Sequence, residues 1–349
     1  MRLLDKLPDL AAKILLLLLL LSTPVSLAYA QSNAVRQTAA TLIEGWKDWM
    51  ATHSISEGAM AISFDGKIIA EDGISRTAAD PAPIASLSKA ITAICALKAL
   101  DDNDMPYSLR LQEAMPQFFS RYRAKDRRIF GVTVGHLISH DSGIQSKFVN
   151  RYKTLRSFEE EQKELQMRMI ALDRLVATPG RSNFTYSNAN YLALGVIIEE
   201  TTGESYEPYC KREILAPIGL TDPHLSKEWA VMSSYGGWVM SARDYLTFLN
   251  HYFADGLILG LAPTRYQPRV HVGNNRYYGP GVLYRKTDKG TLIWHTGAWA
   301  WKDKTRDAAF GSYFLMLDDG LAMTMNFNDD AAGGAMEDLE RMIWDRTRP

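Results

Sequence analysis

The chain has 349 residues, 46% hydrophobic and 23% charged, with 39 basic against 40 acidic side chains and a net charge of −1. That composition supplies a sizeable core and excludes a nucleic-acid footprint or a general attraction to anionic membranes. The one basic run, RYRAKDRR at 121–128, reads as a solvated face.

At the N-terminus Arg2, Lys6 and Lys13 precede a short apolar block, Ile14–Leu21, and STPVSLAYA then ends in a small-x-small pattern at Ala28 and Ala30. The layout predicts a secretory signal peptide over 1–30, cleaved after Ala30, and hence a secreted or periplasmic protein. An uncleaved membrane anchor is the alternative and the one route to membrane contact. The apolar block falls short of the roughly 20 residues a spanning helix needs.

Residues 34–50 have a helical pattern, and GAMAISF, the Asp65-Gly66 turn and KIIAE predict a β-hairpin. IASLSKAITA (84–93) then opens a helix running to about Leu100. Residues 105–255 read as helix and loop, with a charged segment over 157–177 expected as an exposed helix. Strand patterns return as RVHV, GVLYRK, TLIWHT, GSYFLML and LAMTMNF, separated by turn residues, and a last helix spans about 334–345. A hairpin is not stable alone, so it is expected to join the later strands in one antiparallel sheet. The fold class is thus α/β (α+β): an antiparallel sheet flanked by N- and C-terminal helices, with an inserted all-helical lobe. The mature chain, 31–349, is expected as a single domain, with sheet regions at about 31–85 and 256–349 and the lobe at about 86–255. A groove between lobe and sheet is the expected place for a site.

The two cysteines, Cys95 and Cys210, do not make a disulfide scaffold. Cys95 lies in an apolar run where a thiol behaves as a small core residue. The pair is therefore expected to stay unbridged.

Three short patterns carry chemistry. Ser86 and Lys89, three apart, share one face of a helix, and a lysine in apolar surroundings drops toward a pKa at which it acts as a base. Alone, the pair reads better as a helix N-cap serine with a lysine snorkelling to water. In FTYSNANY, Tyr186 and Asn188 face the same way if extended. A phenol beside an ammonium ionises more easily, and an amide can bond both a lysine and a substrate carbonyl. In IWHTGAW, His295, Thr296 and Gly297 end a predicted strand, where glycine admits a ligand close to the backbone. Each of the last two patterns also has a plain reading as a turn.

In this order and spacing the three patterns resemble the serine β-lactamase and DD-peptidase superfamily, in its branch related to class C β-lactamases. A related S-x-x-K, S-D-N and K-T-G set marks another branch. The segments VTVGHLISHDSGI, TPGRSNFTYSNANYLALGVIIEETTGESYEPYCKREILAPIGL and GGWVMSARDYLTFL are similar to the same branch. The resemblance covers about residues 58–349 and implies the β-lactamase/transpeptidase-like fold. It implies Ser86 as acylated nucleophile, Lys89 and Tyr186 sharing acid–base work, and Asn188 orienting lysine and substrate. His295, Thr296 and Gly297 would bind substrate, with the oxyanion between the N–H groups of Ser86 and Ala298. Histidine at 295, where lactamases usually carry lysine, attracts a substrate carboxylate less.

The expected function is an exported serine hydrolase, DD-carboxypeptidase- or esterase-like, on a small-molecule or peptide substrate containing an amide or ester. The alternatives are a class C-like β-lactamase and a penicillin-binding receptor or scaffold without useful turnover. Trp299 and Trp301 either wall the cleft or pack. No cofactor and no metal is expected: His136 and His140, four apart, lack the H-E-x-x-H glutamate and read as structural. No G-x-S-x-G elbow or phosphate-binding G-x-x-x-x-G-K occurs.

Overall fold

The computed structural model describes residues 33–145, 174–181, 183–227, 232–253, 270–287, 290–302 and 307–347. The expected signal peptide and most of the expected helix over 157–177 lie outside these residues.

Helix α1 (33–52) leads into strands β1 (Gly58–Phe64) and β2 (Lys67–Ile74), paired antiparallel as the hairpin pattern predicts. Six more strands come from the C-terminal part: β3 (Val270–Gly273), β4 (Arg276–Tyr278), β5 (Leu283–Thr287), β6 (Gly290–Lys302), β7 (Asp307–Leu317) and β8 (Leu321–Phe327). They form one antiparallel sheet in the order β2-β1-β8-β7-β6-β5-β4-β3. Pairing of β1 with β8, Gly58 opposite Phe327, joins the two ends of the chain.

Alternation along the strands assigns each side chain to a face. Met60 and Ile62 of β1 meet Leu315, Met323 and Met325 on the face covered by α1 and the C-terminal helix Ala335–Thr347. Ala61, Phe314 and Met316 point the other way into the larger core beneath the lobe. Both faces are therefore buried, and β1 and β8 are accordingly apolar almost throughout.

The lobe is built around α2 (Ser88–Asp102), rich in alanine, leucine and isoleucine and buried through most of its length. It packs against α3 (Asn188–Thr202), and α4 (Ala242–Tyr252) closes the lobe onto the sheet through contacts with β1 and β8. The lobe is not wholly helical: Trp238–Met240 pairs with Ala82–Pro83 and His224–Leu225 in a small second sheet. This pairing is too short to leave an alternating pattern in the sequence.

Cys95 and Cys210 are bridged, contrary to the expectation of free thiols. Cys95 is indeed wholly buried, but its face of α2 meets the short helix Tyr206–Cys210. The two Cα atoms lie 5.5 Å apart, within bridging range. Burial alone does not distinguish a core thiol from a core disulfide. Among the described residues, no helix is long and apolar enough to cross a membrane.

Candidate active site

Ser86 sits on a 3₁₀ turn, Ala85–Leu87, that precedes α2 rather than at the helix start. Ala85 has φ +45°, a left-handed conformation that a residue with a Cβ adopts only under constraint. The constraints are four hydrogen bonds from three sides. The Ile84 N–H donates to the Trp238 carbonyl at 3.1 Å, and the Trp238 N–H donates to Ser88 Oγ at 3.2 Å. Ser312 Oγ donates to the Ile84 carbonyl at 2.7 Å, and the Tyr245 hydroxyl to the Leu87 carbonyl at 2.9 Å. The sheet, the lobe and α4 thus all grip the turn that presents the serine.

One turn on, Lys89 has no solvent exposure. Its Nζ donates to Ser86 Oγ at 2.9 Å and to the Tyr235 carbonyl at 2.7 Å. Around it stand the rings of Tyr186, Tyr191 and Tyr235, with centroids 5.0, 5.8 and 5.9 Å away. Burial holds its pKa well below that of a free lysine, favouring the uncharged amine.

Tyr186 lies in the extended segment before α3, and Asn188 is the first residue of that helix. Tyr186 is 40% exposed, while its hydroxyl is hydrogen-bonded to Ser86. Burial of that end raises the phenol pKa above its ordinary value, and the bond to Ser86 only partly opposes this. The expectation of an easily ionised phenol therefore does not hold. A lysine that is itself driven toward neutrality gives a phenolate little support.

On the opposite wall, His295, Thr296 and Gly297 lie in the middle of β6, not at its end. Strand β5 pairs only with 290–294, so from His295 onward β6 leaves one edge to the turn bearing Ser86. A Cβ on Gly297 would lie 2.3 Å from Ser312 Oγ, 2.7 Å from the Ile84 carbonyl oxygen and 3.1 Å from the Ala85 Cβ. Glycine here serves the approach of strand to turn. His295 is 4% exposed. Its Nδ1 donates to the Thr296 carbonyl at 2.5 Å, which leaves Nε2 to accept from the Tyr278 hydroxyl at 3.4 Å. Burial first, and then the neighbouring Lys89, push its pKa down to about 3.

A cavity of about 180 Å³ opens over Ser86, lined by Ala85, Tyr186, Asn188, Met232, Tyr235, Gly236, Ala298 and Trp299. Of the sequence-predicted residues, Ser86, Lys89 and Tyr186 are brought together, and Asn188 and Ala298 join them at the cavity. His295 and Gly297 are buried behind its wall, and Thr296 is not among the lining residues. Trp299 lines the cavity, while the Trp301 side chain lies outside the described residues.

Three contributors carried no sequence signal. Tyr235 acts through its carbonyl, which any residue type supplies. Tyr278 belongs to the short strand β4, absent from the predicted elements. His140 appeared only as the partner of His136. The helix Val134–Ile138 ends before it, and His136 Nδ1 instead accepts from the Thr133 N–H at 3.2 Å. Among the described residues, no group of three or more His, Cys, Asp or Glu side chains is placed to hold a metal ion.

The β-lactamase family profile matches residues 40–346. Protein flp of Staphylococcus aureus (strain COL) is 30% identical over 138 residues, 40% of this chain and 26% of flp. Penicillin-binding protein 4* of Bacillus subtilis (strain 168) is 24% identical over 263 residues, 62% of this chain and 55% of that protein. The matched region is therefore about a quarter to a half of these relatives' own length. The crystal structure of a D-stereospecific amidohydrolase from Streptomyces sp. superposes with a TM-score of 0.66 at 19% identity, covering 87% of this chain and 98% of that one.

Proposed function

The chain belongs to the β-lactamase family, and from that premise we propose that it is an exported serine hydrolase that forms an acyl-enzyme on Ser86. The observation that carries this reading is the uncharged-leaning Lys89 amine, wholly buried and 2.9 Å from the Ser86 oxygen. In the first step Lys89 takes the hydroxyl proton as Ser86 Oγ bonds to the substrate carbonyl carbon. The oxyanion rests on the backbone N–H groups of Ser86 and Ala298. As the intermediate collapses, the C–N or C–O bond breaks and the leaving group takes a proton from Lys89, relayed by the Tyr186 hydroxyl. Water then cleaves the Ser86 ester by the same route in reverse.

The substrate class we infer is an amide, peptide or ester without a carboxylate recognised at position 295. His295, neutral and buried, offers no cation there, and the described cavity-lining residues are all uncharged. The fold likeness to a D-stereospecific amidohydrolase supports an amide substrate. The buried Cys95–Cys210 bridge supports export, because such bridges persist in oxidising compartments.

The test is covalent labelling with a fluorescent fluorophosphonate, alongside turnover of p-nitrophenyl esters, a D-Ala-D-Ala peptide and nitrocefin. Labelling is expected on Ser86 and lost in Ser86→Ala with the fold intact. An adduct on another residue by mass spectrometry overturns the nucleophile. Efficient nitrocefin hydrolysis with inert esters and peptides overturns the amide, peptide or ester substrate class in favour of a β-lactam.

A further inference from the structure

His140 has no solvent exposure and adopts φ +61°. It holds the chain on both sides of Tyr186. Its carbonyl accepts from the Thr185 N–H at 2.9 Å, and its Nδ1 accepts from the Ser187 N–H at 3.3 Å. The ring itself packs on Tyr186, with centroids 4.5 Å apart, and on Tyr278 at 4.6 Å.

The hydrogen bonds also determine where the imidazole proton sits. The Ile144 N–H donates to Ser142 Oγ at 3.0 Å, and Ser142 Oγ donates to Asn190 Oδ1 at 2.6 Å. That orients the Asn190 amide so that Nδ2 donates to His140 Nδ1 at 2.9 Å. With two donors aimed at Nδ1, the neutral ring carries its proton on Nε2. This Nε2–H is buried and has no hydrogen-bond acceptor among the described residues. A buried donor left without an acceptor is costly, so its retention calls for a return elsewhere. His295 holds the opposite tautomer, with the proton on Nδ1. Tyr278 stands between the two rings.

We propose that His140 is a positioning residue for catalysis: locked as the Nε2–H tautomer by Asn190 and Ser142, it fixes the Tyr186 phenol on Ser86. This rests on the acyl-enzyme reading, in which Tyr186 relays the proton. His140 is not among the residues that line the cavity over Ser86. Its effect therefore falls on the rate of the chemical step and not on substrate binding.

His140→Asn tests this, because asparagine tolerates the left-handed backbone and keeps an acceptor near the Nδ1 position. Ester hydrolysis, with rates normalised to fluorophosphonate-titrated sites, should show kcat lowered about 10²-fold, the scale of a small misplacement of a reacting group. KM should stay within about twofold. The double variant His140→Asn/Tyr186→Phe should be no slower than Tyr186→Phe, since the two residues act as one unit. Additive losses overturn the proposal, as does a fall only in the titratable fraction, which marks a folding role. Imidazole ¹⁵N spectra of the wild-type enzyme test it without any variant: a proton on Nδ1 of His140 at pH 7 overturns it. Wild-type rates in Tyr186→Phe would instead overturn the role given to Tyr186, and labelling that survives Ser86→Ala would overturn the acyl-enzyme reading itself.

Discussion

The turn bearing Ser86 is tied down through the backbone of Ile84, Leu87 and Trp238, and Lys89 donates to the Tyr235 carbonyl, whereas Tyr186 and His295 stand in a nest of rings. The first wall of the cleft is built from directional bonds to groups that cannot move without breaking the sheet or the lobe. The second is built from His140, Tyr278 and their neighbours, whose packing sets ring planes while hydrogen bonds set the histidine tautomers. Ser86 and Lys89, the proposed nucleophile and base, thus sit on this first wall. Tyr186, proposed to pass the proton on, sits on the second wall. Substitutions on the first wall should abolish chemistry or distort the fold, while those on the second should tune rate and pH response.

The largest effect is expected from Lys89→Ala. Loss of a positioned general base costs on the order of 10²–10⁴ in rate, and here the acylation rate should fall about 10³-fold. Time-resolved fluorophosphonate labelling reads this directly, and circular dichroism checks the fold alongside, since the substitution also empties the space of a wholly buried side chain. Labelling at the wild-type rate would move the base to another residue and dissolve the contrast between the walls.

Gly297→Ala probes the seam where the walls meet. The added methyl cannot be accommodated without moving Ser312 or the backbone at Ile84, one step from the strained Ala85. Overpacking of this kind costs about 1–3 kcal/mol, and the acylation rate should fall with it because the displaced turn carries Ser86. A lowered Tm with unchanged acylation would mean that the strand, and not the turn, absorbs the strain.

Much of the first wall was legible from residue order. The S-x-x-K pair in an apolar helix, the hairpin and the C-terminal strands all have local signals, and the structure has them where those signals lie. The position of His295–Gly297 within β6 was not, because strand ends depend on partners: β5 (Leu283–Thr287) ends opposite Trp294, and β6 runs on with β7 on one edge and the turn on the other. The Cys95–Cys210 bridge joins residues 115 apart, and no local pattern encodes which helix face meets which. His140 was set aside as a structural histidine for a similar reason. Its importance comes from rings contributed by Tyr186 and Tyr278, distant in sequence, and from an amide on α3.

The smallest predicted effect belongs to the second wall and to acid. His295 has a folded pKa of about 3 against an ordinary 6.5, so between those values the unfolded chain binds a proton that the folded chain refuses. Stability from this residue is complete above about pH 6.5 and is lost as the pH falls toward 3. Between pH 7 and pH 5.5 the loss is about 1 kcal/mol, from 1.36 kcal/mol per pKa unit. His140, also buried and also lowered, adds a slope of the same sign, as does Lys89. Urea unfolding of the wild type and of His295→Asn at both pH values isolates the contribution of one ring, since the other slopes are common to both proteins. The variant should lose about 1 kcal/mol less on acidification. Equal losses in the two proteins would mean that His295 is as easily protonated in the folded state as in water, and that the second wall is wetter than its ring packing implies.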